Sequence, residues 1–194
     1  MNPAATMNRN DFRRLLASLD LAERPAEEPH RRRMVDLLDS TPDCFERTSF
    51  PAHFTGSALV VNADGTRALL HHHRKLDRWM QFGGHCDGDA DVLRVAQREA
   101  LEESGIAGLI VASARPFDLD IHEIPARKTE PAHLHHDVRY MLIAPEGASP
   151  VQSHESNELR WFSPDEMEAL PLDEGLRRLA AKWRAILVRR AHIA

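Results

Sequence analysis

Arg98, Glu99, Glu102 and Glu103 form the run of this chain whose residue types and spacing most directly imply chemistry. At about 100° per residue, Glu99 and Glu103 lie about 40° apart around a helix, and Glu99 and Glu102 about 60° apart. This i, i+3, i+4 spacing points all three carboxylates into one sector. Three carboxylates on one turn repel each other, and a hard divalent cation that prefers oxygen ligands would offset that repulsion. Arg98, four residues before Glu102, is placed to pair with it. Upstream, Gly83, Gly84 and Gly88 read as a glycine turn that lets the backbone bend sharply and approach a ligand. Asp89 and Asp91 stand where a helix cap and first turn prefer acids. The competing reading is a solvated acidic helix face. The glycine turn, the Arg-Glu-x-x-Glu-Glu run and the closing Gly105-Ile106 together weigh against it.

The elements that position this run follow from periodicity. Residues 89–104 read as a helix. Phe54 to Asn62 reads as a buried strand, Asn62-Ala-Asp-Gly65 as a turn and Arg67 to His72 as the returning strand. Trp79 to Phe82 leads into the glycine turn. Leu109 to Ala114, Phe117 to Ile121, Val138 to Ala144 and Leu159 to Phe162 are further strands. Ser163 caps a helix with Pro164 at its first position. Leu172, Leu176, Leu179, Trp183 and Leu187 mark a long amphipathic C-terminal helix. Before the first strand, 9–23 and 31–38 carry helical apolar spacing, interrupted between Pro25 and Pro29. Strands and helices alternate irregularly, which implies an α/β fold with a mixed sheet between helices. The expected division is an N-terminal helical extension over 1–48 and one domain over 49–194.

Composition narrows the class. The 194 residues are 42% hydrophobic and 28% charged, with net charge −5 and 12 histidines, as in a soluble globular protein. The Arg31-Arg32-Arg33 run is too short for a nucleic-acid face and reads as a solvated helix side. No apolar run is long enough to span a membrane, and no signal-peptide core opens the chain. Two distant cysteines, Cys44 and Cys86, suggest a reducing compartment. The expectation is therefore a cytoplasmic protein with no membrane and no nucleic-acid polymer as partner.

Residues 84–106 resemble the Nudix box, Gly-x5-Glu-x7-Arg-Glu-U-x-Glu-Glu-x-Gly-U, where U is apolar. The match runs through Gly84, Arg98, Glu99, Ala100, Glu102, Glu103, Gly105 and Ile106, and departs at Ala90, where the family carries its first Glu. In the family that Glu mostly buttresses the loop and the Arg, so its loss bears on loop rigidity more than on activity. The resemblance implies an α/β/α sandwich with the box helix against the sheet. It also implies a Mg²⁺-dependent hydrolase (Mn²⁺ being the alternative) that cleaves a pyrophosphate bond in a nucleoside diphosphate linked to another group, or in a related small metabolite. Glu99, Glu102 and Glu103 would hold the metal, joined by the backbone carbonyl of Gly83. Arg98, Glu102 and Glu103 would serve catalysis. The family often places a further Glu in the loop six residues before a late Trp; counting back from Trp161 gives Glu155, with His154 beside it as an alternative proton acceptor. Homodimerisation follows from family habit alone.

The histidines are a second constellation. His133-Leu-His135-His136-Asp137 precedes a strong strand, and alternation puts His133 and His135 on one side of an extended segment. Without Cys partners or an H-x3–5-H spacing, polar loop and edge residues are preferred to a metal site. Contact with substrate is the better functional reading, with Gly84, His85, His133 and His135 as the substrate-binding set. Two alternatives stand beside the hydrolase, the first raised by Cys86 inside the glycine turn. One is an enzyme like isopentenyl diphosphate isomerase, which the resemblance supports weakly because that family's Cys context is absent. The other is a non-catalytic Nudix-fold ligand sensor, which the retained Glu99, Glu102 and Glu103 argue against.

Overall fold

The computed structural model describes residues 6–127 and 130–192. Its strands are β1 (Ala52–Val61), β2 (Ala68–His73), β3 (Arg78–Met80), β4 (Phe82–His85), β5 (Ile110–Val111), β6 (Asp118–Ile124), β7 (His133–Ile143) and β8 (Ser156–Phe162). Its helices are α1 (Arg9–Ala17), α2 (Glu28–Ser40), α3 (Val92–Ser104), α4 (Pro164–Glu168) and α5 (Glu174–Ala191), with a 3-10 turn at Pro25–Glu27. β1 is central. It runs parallel to β7 along its whole length, while its other edge is shared by β2 and β4, both antiparallel to it. β6 and β5 follow on β7, and β8 and β3 on β2.

The alternation of β1 sorts the molecule into layers. Phe54, Ala58 and Val60 face one core, which takes in Val92, Val95 and Ala96 of α3 and also Phe12, Leu16, Met34 and Leu38 of the N-terminal helices. Leu59 and Val61 face the other, completed by Met167, Leu176, Leu179 and Trp183 of α4 and α5. Period-two burial in the strands meets period-3.6 burial in the helices, and the result is the expected α/β/α sandwich. Gly56 sits where α3 crosses closest: an added Cβ would lie 2.7 Å from Val92 O. The C-terminal helix is tied down by Trp183, whose Nε1 donates to Gly65 O at 2.8 Å.

Several boundaries differ from expectation for local reasons. α3 starts at Val92, because the Asp91 carboxylate accepts the Arg94 N–H as N-cap and leaves Asp89 outside the helix. α1 is shorter than 9–23; the Asn8–Asp11 capping box opens it and it ends at Ala17. α2 is longer than 31–38, because Pro29 lies in its first turn, where a missing N–H costs nothing. Gly83 and Gly84 form no turn: they lie extended in β4, paired with Ser57 and Gly56 of β1. The turn comes later, where Asp87 and Gly88 take φ of 50° and 83°. The His133–Asp137 segment is strand rather than loop, the first half of β7. Arg31 and Arg32 both pair with Glu28, so two of the three arginines of the basic run are engaged within their own helix.

Candidate active site

β4 and α3 assemble the carboxylate site. Strand pairing carries Gly83 and Gly84 against β1, the Asp87-Gly88 turn reverses the chain, and α3 returns beneath them. The Glu103 carboxylate accepts the Gly83 N–H at 2.9 Å. Glu99 packs directly on Gly84, where a Cβ would lie 2.5 Å from Glu99 Cδ. The Gly-Gly pair is therefore needed for close approach: a Cβ on Gly84 would displace the Glu99 carboxylate, and one on Gly83 would strike Ser57 Cβ of β1 at 2.3 Å.

Arg98 does not pair with Glu102 as its spacing suggested. Its Nη2 donates to Glu99 Oε1 at 2.6 Å and to the His85 carbonyl at 2.8 Å. The guanidinium thus joins the end of β4 to the helix, which brings Glu99 and not Glu102 within its reach. The loop that lacks the family's first Glu is held by other pairs, Arg94 with Asp89 and Arg47 with Asp87. Ala90 itself is half-buried against the core.

The three box carboxylates share a helix but not an environment. Glu103 is only 6% exposed, Glu99 is half-buried and Glu102 is exposed. Burial pushes the Glu103 carboxyl up to about 8, opposed by the Gly83 N–H and reinforced by the charges of Glu99, Glu155 and Glu102. Burial also raises Glu99, against the pull of Arg98. Among the described residues no cation pairs with Glu103, so its ionised form is costly here. A hard cation is the group that would reverse this, and the donors present, carboxylate oxygens beside backbone carbonyls, are those that Mg²⁺ or Mn²⁺ accepts. Glu155 lies in the exposed loop before β8, close enough for its charge to act on Glu103.

Strand alternation separates the remaining predicted residues from the carboxylates. Gly84 faces Glu99, so His85, the next residue, projects from the opposite side of β4. His133 and His135 lie on that same side of β7, their rings 5.2 Å apart, as alternation predicted. They meet His53 of β1, which the sequence reading did not include; its ring is 4.9 Å from each. Cys86 is fully buried, and burial holds its thiol well above the usual range.

A NUDIX domain model matches residues 53–183. Among solved structures, the C. elegans Ap4A hydrolase binary complex superposes with a TM-score of 0.57 at 17% identity, covering 70% of this chain and 97% of that one. The E. coli dihydroneopterin triphosphate pyrophosphohydrolase gives 0.52 at 18%, covering 66% and 91%. The NUDIX domain of Shewanella oneidensis NrtR complexed with ADP ribose gives 0.51 at 17%, covering 78% and 97%. At these identities the likeness is one of fold. No protein of curated function matches the chain by sequence. Among the described residues, no helix is long and apolar enough to cross a membrane.

Proposed function

Because this chain belongs to the Nudix family, we propose that it is a Mg²⁺-dependent pyrophosphohydrolase that cleaves the diphosphate of a nucleoside diphosphate linked to another group. The observation that carries the reading is Glu103: a carboxyl buried beside Glu99, held by a strand N–H, and without a cationic partner among the described residues. Purely structural buried acids are paired. One that is not paired, in a site lined with further oxygens, is organised for an ion from solution.

Bound there, Mg²⁺ would neutralise phosphate oxygens and supply an activated water. Glu99 and Glu103 are the principal holders, with Glu102 and the Gly83 carbonyl completing the oxygen set. Arg98 is a positioning residue: it orients Glu99 and fixes the end of β4 through the His85 carbonyl. Glu155, on the exposed loop ahead of β8, takes a proton from the attacking water or adds a further oxygen. The products are two phosphorylated fragments, one P–O bond of the anhydride being replaced by the water oxygen. Nucleotide-like phosphoanhydrides are the substrate class, in line with the Ap4A and ADP ribose in the names of the structural neighbours. An isomerase acting through Cys86 is disfavoured, since a thiol without solvent access and with a raised pKa is a poor acid or nucleophile.

The test is incubation with Mg²⁺ and a panel of ADP-ribose, other nucleoside diphosphate conjugates, dinucleoside polyphosphates and nucleoside triphosphates. Metal-dependent release of phosphorylated products, abolished in Glu102→Gln and Glu103→Gln, is the expected result. Tight binding of panel members without turnover would replace the hydrolase reading with ligand sensing.

A further inference from the structure

The other face of the sheet carries a second cluster with a different donor chemistry. His53, His85 and His135 each offer a ring nitrogen, and these atoms all lie within 4.8 Å of one another. Three strands contribute them. His53 and His135 are register partners in the parallel β1–β7 pair, and His85 sits at the end of β4, across from Thr55. Two further features point to a ligand. His53 is 1% exposed, and its Nδ1 donates to the Ser49 carbonyl at 3.0 Å, which leaves the lone pair on Nε2. That Nε2, and Nε2 of His135, are buried without a hydrogen-bond partner among the described residues. A buried ring nitrogen left unsatisfied is costly, and two of them in one cluster need a reason.

We propose that His53, His85 and His135 form a binding site for a borderline transition-metal ion, Zn²⁺ in the first instance, distinct from the carboxylate site. Imidazole nitrogens suit zinc and its neighbours, whereas Mg²⁺ selects oxygen. In a tetrahedral site the nitrogens stand about 3.3 Å apart, as Zn–N bonds of about 2.0–2.1 Å require. No pair therefore has to close by more than about 1.5 Å on binding, within the reach of χ1 and χ2 adjustments. The Ser49 carbonyl supplies the outer hydrogen bond that fixes the tautomer of a metal-bound histidine. Burial favours the neutral form of all three rings, the form that ligates.

Three protein ligands leave one position for water or a ligand atom, as in zinc sites that act on substrates. The ring of His122 lies 5.4 Å from His135 and lines a cavity of about 310 Å³ with Arg78, Asp120, Arg139 and Arg178. The open position therefore borders a polar cleft in which Arg139 and Arg178 are already paired with Asp120 and Arg78 with Asp173. The site stands whether or not the carboxylates across the sheet hydrolyse anything.

The experiment is titration of chelator-treated protein with Zn²⁺ by calorimetry in excess Mg²⁺, repeated with Co²⁺ followed by visible absorption. We expect one Zn²⁺ per chain and the intense d–d bands of tetrahedral Co²⁺. Loss of an outer-shell partner alone weakens a metal site about 10–100-fold, so His53→Ala, His135→Ala and His85→Ala should each weaken it by more than about 100-fold. Glu103→Gln should bind as wild type does. His85 is only half-buried, so its variant keeps the test open if the other two misfold. Absence of stoichiometric Zn²⁺ uptake by the wild type would overturn the proposal. So would unchanged affinity in His85→Ala, or an equal loss in Glu103→Gln.

Discussion

The two faces of the central sheet each hold a cluster of carboxylates, and they solve the problem of crowded negative charge in opposite ways. On the α5 face, Asp118, Asp120, Asp137 and Glu27 meet Arg139, Arg178 and Lys182. Arg139 donates to Asp137 and Asp120 at 2.8 Å, Arg178 to Asp118 and Asp120 at 2.8 Å, and Lys182 to Glu27 at 2.6 Å. Thr55 and Ser57 satisfy the remaining valences of Asp137. Despite burial, the guanidinium and ammonium partners hold Asp118 and Asp120 below the usual carboxylate range. On the α3 face, Arg98 is the one cation paired with Glu99, Glu102 or Glu103 among the described residues, and Glu103 is pushed up to about 8. The first cluster is complete without help and ties α5 and the Pro25–Glu27 turn to the sheet. The second is incomplete, and incompleteness is what a binding site requires.

The sharpest way to break the comparison is Arg139→Ala. Arg139 is 3% exposed and touches three aspartates. Its removal strands buried charges, a loss of about 3–5 kcal/mol, read as a lower midpoint in urea unfolding. If stability were unchanged, the α5 cluster would not be the structural one.

Glu103→Gln should do the reverse. Hydrolysis falls by about 100-fold or more, at least about 2.7 kcal/mol of barrier, while metal-free stability at pH 8 does not fall. Mg²⁺ should raise the melting temperature of the wild type and leave that of the variant unmoved. A variant that unfolded instead would place Glu103 among the structural acids.

Acidity distinguishes the faces by sign. The folded-state pKa of Glu103 is raised, so its contribution to stability is present below its unfolded value of 4.5 and is lost as pH rises through about 8. Those of Asp118 and Asp120 are depressed, so their contribution is present above 3.8 and is lost only as pH falls into the acid range. Glu103 should therefore contribute a fall in metal-free stability between pH 4.5 and 8 of at most about 1.4 kcal/mol per pH unit, set below pH 6.5 against a rise from the buried histidines, whose pKa values burial lowers. Subtracting the urea melts of Glu103→Gln from those of the wild type cancels the histidines and should leave the Glu103 slope.

Local sequence exposed the α3 cluster and concealed the α5 one. Arg98, Glu99, Glu102 and Glu103 lie within six positions of one helix, so periodicity alone brings them together. The α5 cluster draws on Glu27, β6, β7 and α5, and nothing in the spacing of Asp118, Arg139 and Arg178 shows that they meet. His53 was missed for the same reason: its partnership with His135 exists only in the parallel β1–β7 register. Local spacing also misled. Arg98 reaches Glu99 rather than Glu102 because β4 pulls it toward the His85 carbonyl, and Gly83-Gly84 reads as a turn although its smallness serves packing within a strand.

A matched pair of glycines gives the smallest and cleanest contrast. A Cβ on Gly84 would come within 2.5 Å of the Glu99 carboxyl carbon, whereas one on Gly175 would stand 2.9 Å from Arg139 Nη1 and Asp120 Oδ2. Each substitution to alanine presses on the carboxylate cluster of its own face. At Gly84, Glu99 must move, and a displaced holder costs rate: Gly84→Ala should lower kcat/KM about tenfold, about 1.4 kcal/mol, with the urea midpoint little changed. At Gly175 the neighbours are locked by their own pairing and cannot step aside. The helical preference for alanine over glycine, about 0.5–1 kcal/mol, offsets part of an overpacking cost of about 1–3 kcal/mol. Gly175→Ala should therefore lose about 1 kcal/mol of stability on balance, with kcat/KM unchanged. If both variants lost activity and neither lost stability, the two clusters would be one functional unit spanning the sheet, and the division between a completed face and an open one would fail.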